Sequence, residues 1–278
     1  MSDTPFNPHG EPPVRPPLSG ALRMYAEHWR TLVACALVGV LPVAALDAVD
    51  YLQSGVDPFR LTPTAGGTES GLSWVVIGVS LALYSLVSAA CIRVIAESRE
   101  GHATDWRSAV SWGAARIGPV LLTSVIVVIG CTLGLIALIL PGIWLAVAWC
   151  VATPAVVLEG STPFDAVRRS FGLVRGAWWH TLGVLLLAAL IAAAVVIAAA
   201  IPVSLAVTVV ESKAGRVALS ALTETALMSF LLPFGAALLT LLYYDLRDRE
   251  AKRPSPAQPR DPGERFGGFE PPDAAGPR

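Results

Sequence analysis

Between Arg116 and Glu159 the chain runs through 42 residues, Ile117–Leu158, without one charged side chain. At about 1.5 Å per residue, a single helix of that length would be about twice the ~30 Å thickness of a bilayer's hydrocarbon core. The run must therefore fold back on itself inside or beside a membrane. Leu140-Pro141-Gly142 is the expected turn, because Pro breaks the helical ladder and Gly permits reversal.

Composition agrees with a membrane chain. Hydrophobic residues make up 54% and charged residues 15%, against roughly 25% charged in ordinary soluble domains. The mean hydropathy is +0.61. A soluble chain of this length would need a charged shell that these residues cannot supply. Other charge-free runs supply further spans: Thr31–Leu46, flanked by Trp29 and Tyr51 as interfacial aromatics, then Ser70–Ile92 and about Thr181–Val207; Val217–Tyr244, interrupted by Glu224, supplies another. With the folded-back run giving two, Ile117–Leu140 and Ile143–Leu158, the total is six.

Lys and Arg positions orient the bundle. With the N-terminus inside, the inner segments hold Arg15, Arg23, Arg30, Arg93, Arg99, Arg107, Arg116, Arg168, Arg169 and Arg175, and seven more basic residues follow Tyr244. Only Arg60, Lys213 and Arg216 fall outside. Both termini are thus expected in the cytoplasm. Residues 1–18, with six prolines and no apolar run, read as a disordered leader and not as a signal peptide. Residues 19–250 read as the six-span domain and 251–278 as a disordered, Pro- and Gly-rich tail.

Three similar segments precede the odd-numbered spans. Each opens with a hydroxyl residue able to cap a helix (Ser19, Thr104, Thr162) and continues as a short amphipathic stretch. The third is the best defined. Thr162 is the expected N-cap, Pro163 the first helical residue, and Asp165 closes a T-x-x-D capping pattern. Phe164, Val167, Phe171, Val174 and Trp178 form its expected apolar face, with Arg168, Arg169 and Arg175 off it. Trp29-Arg30-Thr31-Leu32 also resembles Trp179-His180-Thr181-Leu182. The fold expected is all-α: six transmembrane helices and three cytoplasmic interfacial helices, arranged as three repeats of interfacial helix plus hairpin. Recurrent amphipathic linkers entering a membrane would give the same pattern without duplication. Small residues are available for helix packing, notably Gly130-x-x-x-Gly134 and the alanines of the fifth span.

The stretches Leu140-Pro141-Gly142-Ile143-Trp144, Pro154-Ala155-Val156-Val157-Leu158-Glu159-Gly160, Ala166-Val167-Arg168-Arg169-Ser170 and Leu173-Val174-Arg175-Gly176, with Trp179, carry a family likeness. So do Tyr25, His28-Trp29-Arg30-Thr31-Leu32 and Tyr243-Tyr244-Asp245-Leu246-Arg247. Over about residues 18–250 the chain resembles bacterial membrane proteins named after the membrane domain of glycerophosphoryl diester phosphodiesterase. That resemblance implies a six-span protein from a group whose members often carry no phosphodiesterase, and the tails and short loops outside the spans are expected to leave no room for one.

Candidate chemistry is sparse. Cys35, Cys91, Cys131 and Cys150 lie in apolar runs without metal or redox spacing, and the four histidines form no paired-ligand motif. No catalytic, cofactor or metal site is expected, nor a nucleic-acid partner. Glu224 is a candidate intramembrane polar residue, either part of an ion path or an interfacial carboxylate at the outer edge. Pro42, Pro154, Pro202 and Pro233 fit either tolerated kinks or the broken helices of transporters. Arg168, Arg169 and Arg175 are candidate contacts for anionic lipid headgroups, or topology signals alone. The leading expectation is a non-enzymatic protein of the bacterial inner membrane, a scaffold or an aid to membrane homeostasis. The alternative is a small transporter or export component.

Overall fold

The computed structural model describes residues 17–54, 71–102 and 105–253. These form an all-helical bundle without strands among the described residues, and six helices or helix pairs are long and apolar enough to cross a membrane. In chain order they are α1 (Pro17–Ser54), α2 (Gly71–Arg99), α3 (Trp106–Ala115), α4 (Ile117–Ala137), α5 (Ile139–Ala148), α6 (Ala152–Glu159), α7 (Pro163–Arg175), α8 (Trp178–Val209) and α9 (Lys213–Ala251). The spans are α1, α2, α4, the pair α5–α6, α8 and α9. Most of the leader and tail expected from sequence, and the Thr104 cap, lie outside the described residues. Asp105 is the N-cap residue of α3, and α1 begins at Pro17, two residues before Ser19.

Alternating spans place one end of the bundle beside Arg23, Arg30, Arg99, Arg116, Arg175 and Arg249, and the other beside Lys213 and Arg216. We call the first the arginine-rich end. The core centres on α1, α2 and α9, with Leu32, Cys35, Ile92, Ile95, Leu242, Tyr243 and Leu246 fully buried, and α3 to α7 add Ala109, Val120, Val147, Ala155 and Leu173. Cys35 and Cys91 are buried free thiols, and Cys131 and Cys150 are half-buried free thiols. The eighteen most apolar residues of α8 contain none that is buried. That helix meets the bundle through Thr181, Leu182, Val184, Leu185 and Ala188, near its first turns.

The reversal between spans three and four falls earlier than the sequence indicates. Leu138 (φ −167°, ψ 142°) separates α4 from α5, and Pro141 sits in the first turn of α5. A proline there forfeits no helical hydrogen bond, so it starts a helix instead of stopping one. Gly142 serves the approach of the two helices: a Cβ on it would overlap Leu135, and Gly142 Cα lies against Gly134. Gly130, one turn away, is covered by the indole of Trp149. The Gly130-x-x-x-Gly134 pattern is thus used within the chain, to seat α5 on α4.

Each short helix joins its span through one residue of similar non-helical backbone. These are His28 within α1 (φ −118°, ψ 18°), Arg116 after α3 (φ −117°, ψ 16°) and Ala177 before α8 (φ −141°, ψ 29°).

Candidate functional site

The arginine-rich end is assembled around α7. Its start follows the capping pattern in the sequence: the Thr162 hydroxyl accepts a hydrogen bond from the Asp165 backbone N–H at 3.3 Å and donates one to the Asp165 carboxylate at 2.6 Å. Pro163 occupies the first turn. Before it, α6 ends at Gly160, whose left-handed backbone (φ 64°) favours glycine.

The face that α7 turns to the bundle keeps Val174 of the expected apolar face and adds Leu173 and the small residues Ala166 and Ser170. Ala166, Ser170, Leu173 and Val174 are buried, whereas Phe164 is 65% exposed. Phe171 is half-buried and stacks edge-on against Trp144 of α5. Within a bilayer, close helix contacts favour small residues and lipid accepts large apolar ones. Ser170 is fully buried and donates a 2.8 Å hydrogen bond to the carbonyl of Ala148, the last residue of α5. The fourth span breaks there, through Trp149–Val151, before resuming as α6.

Arg169 projects from the same helix between two carboxylates. Its Nε donates to Glu159 Oε1 at 3.2 Å and its Nη1 lies 2.8 Å from Glu250 Oε2. Tyr243, fully buried in α9, donates from its hydroxyl to the same Glu159 oxygen. Partial burial works against the charge of Arg169, but its hydrogen bonds to Glu159 and Glu250 outweigh this and raise its pKa above the ordinary value. Two residues along α9, Asp245 is 6% exposed and accepts from Arg249 Nε at 2.8 Å, and His180 Nε2 of α8 lies 3.2 Å from the same carboxylate oxygen. Two linked clusters therefore tie α6, α7, α8 and α9 together at one end.

Arginine–aromatic stacks surround these clusters. Arg99 lies 4.2 Å from the ring centre of Tyr244, Arg30 5.6 Å from that of Trp29, and Arg107 5.2 Å from that of Trp106. Arg93 and Arg116 both stack on Trp112. Indole and phenol rings prefer the headgroup level of a bilayer, and guanidinium groups donate paired hydrogen bonds to anionic oxygens.

Of the residues singled out in the sequence, Arg168 and Arg175 are exposed on α7, whereas Arg169 is held by Glu159 and Glu250. With both pairs formed, the Arg169 side chain remains 32% exposed. Glu224 is half-buried in α9, near enough to Asp47 of α1 and Tyr84 of α2 to interact electrostatically, and far from the arginine-rich end. Glu159, Tyr243, Asp245, His180 and Glu250 were not singled out as site residues. Their partners lie far away in sequence, and local spacing carries no trace of such pairs. The available signal was that Glu159, Tyr243 and Asp245 sit inside the stretches that carry the family resemblance. Among the described residues no group of three or more His, Cys, Asp and Glu side chains is placed to hold a metal ion.

A family model for the membrane domain of glycerophosphoryl diester phosphodiesterase matches residues 120–265. The match takes in α5–α9 and nearly all of α4, and so both ion-pair clusters. No curated protein and no solved structure matches the chain. The chain belongs to the family of the membrane domain of glycerophosphoryl diester phosphodiesterase.

Proposed function

We propose that this integral membrane protein is a non-enzymatic scaffold of the bacterial cytoplasmic membrane, with both termini in the cytoplasm and a role in membrane homeostasis through its arginine-rich end. The observation that carries this reading is the division of charge on and around α7. Glu159, Glu250 and Asp245 are each engaged by a cation from the bundle, while Arg168 and Arg175 remain exposed beside them. Carboxylates neutralised in this way hold helices together. Exposed arginines at a membrane boundary attract anionic headgroups, each contributing about 1 kcal/mol. The three-unit reading of the fold draws support from the shared backbone at His28, Arg116 and Ala177.

The double variant R168Q/R175Q tests the proposal. Native mass spectrometry of the purified protein should find less co-purified anionic lipid than in the wild type, at unchanged thermal stability. Unchanged anionic lipid in a folded double variant would reduce these arginines to topology signals and remove the scaffold reading.

One observation favours a transporter instead. The fourth span is broken at Trp149–Val151, and Glu224 lies half-buried near Asp47 and Tyr84. Broken helices and intramembrane carboxylates line ion paths in transporters. Under the scaffold reading E224Q leaves ion flux across proteoliposomes unchanged. A flux present in wild type and abolished in E224Q would favour the transporter.

A further inference from the structure

Gly113 and Trp112 lie next to each other in α3 and have complementary consequences. A Cβ on Gly113 would lie 3.3 Å from the Leu86 carbonyl oxygen and 3.4 Å from the Ala90 N, so glycine lets α3 rest directly on the backbone of α2. With α3 this close, the indole of Trp112 reaches Arg93, one turn beyond Ala89 and Ala90 on α2, at 5.1 Å from guanidinium carbon to ring centre. The helix then stops. Arg116 leaves helical geometry (φ −117°, ψ 16°), its N–H donates to the Gly113 carbonyl at 3.1 Å, and its guanidinium folds back to 4.5 Å from the centre of the same indole.

Two guanidinium groups from different elements thus share one aromatic ring. Arg93 also forms an ion pair with Glu97 on its own helix. Arg116 is exposed, and no ion pair to it is formed among the described residues. The position matters as much as the charge. Arg116 is followed at once by Ile117, where α4 begins, and Arg93 lies within the last two turns of α2. Both side chains therefore bracket the boundary where a span leaves the apolar core, the depth at which lipid phosphates lie and at which Trp settles.

We infer that Trp112, Arg93 and Arg116 form a site for the phosphodiester of an anionic lipid headgroup. The Arg116 fork pairs with the phosphate oxygens, Arg93 adds a second positive charge, and the indole holds both cations at headgroup level. Pairing is bidentate at a guanidinium and single-pronged at an ammonium. The inference rests on the lipid-facing reading of the arginine-rich end, yet it uses residues of α2, α3 and their junction with α4, not those of α7. The two ideas therefore fail separately.

The test uses the full chain in detergent micelles containing equal amounts of phosphatidylglycerol and phosphatidylcholine, with retained lipid counted by native mass spectrometry. R116Q should lower phosphatidylglycerol retention about fivefold and phosphatidylcholine retention less, because the choline cation offsets the phosphodiester charge. R93Q/R116Q should lower it further, and R116K should fall between R116Q and wild type. Wild-type phosphatidylglycerol retention in R116Q would overturn the site, as would an equal loss of both lipids. Were R116Q not to fold, wild-type retention in R116K would overturn it in its place. Displacement of phosphatidylglycerol by millimolar inorganic phosphate would show a soluble-anion site and contradict the lipid assignment. Loss in R168Q/R175Q with none in R93Q/R116Q would keep the scaffold reading and remove this site.

Discussion

Ser170 on α7 donates its hydroxyl hydrogen to the carbonyl of Ala148, the residue at which the fourth span breaks. A helix end inside a bilayer leaves carbonyls that water cannot reach, and each must find a partner in the protein. Ser170 supplies one across 22 residues of sequence, so a helix lying outside the spans completes the hydrogen bonding of one within them.

Replacing Ser170 by Ala removes that donor and leaves the Ala148 carbonyl unpaired. The expected loss of stability is about 1–3 kcal/mol. Thermal unfolding in detergent should show a clearly lower midpoint for S170A than for the wild type. An unchanged midpoint would mean that the break closes by other means.

Arg169 should contribute less. Its side chain is 32% exposed, and those of Glu159 and Glu250 are 29% and 40% exposed, so solvent and salt screen both pairs. R169Q is expected to cost about 1 kcal/mol or less per pair. The signature lies in the salt dependence: raising ionic strength should destabilise the wild type more than R169Q. Equal slopes would show that the pairs add nothing measurable.

Gly130 and Trp149 form a tight contact that excludes a larger residue. G130L should destabilise by about 1–3 kcal/mol through overpacking. W149A in the same chain should restore part of the loss, and a double-mutant cycle on the two positions measures their coupling. Additive effects, or a change of oligomeric state in G130L alone, would place Gly130 at a contact between copies.

Much of this architecture was legible because membrane physics leaves few choices. The charge-free run Ile117–Leu158 and the run Val217–Tyr244, interrupted by Glu224 alone, mark helices that the structure contains, although α9 continues to Ala251. The Thr162–Asp165 cap was legible too, since capping depends on residues three apart. Two features misled. Pro141 reads as a breaker, yet the break falls three residues earlier, at Leu138, which puts Pro141 in a helix's first turn, where it is tolerated. On α7, Phe164 draws attention as an apolar anchor yet is exposed, while the packed face joins Leu173 and Val174 to Ala166 and Ser170, whose small size gives no hydrophobic signal. The ion pairs stayed hidden for a different reason. Arg169 and Glu250 are 81 residues apart, Tyr243 and Glu159 84, and only the folded chain brings them together.

The orientation of the arginine-rich end carries the whole account, since anionic-lipid contact and cytoplasmic termini both follow from it. Reporter fusions placed after residues 60 and 213 should read as external, and fusions after 102, 165 and 255 as cytoplasmic. Position 213 is the decisive one, because Lys213 starts the last span on the side opposite α7. An external reading there, with cytoplasmic readings at 165 and 255, is the expected result. A cytoplasmic reading at 213 would contradict the six-span orientation and the lipid-facing role built on it.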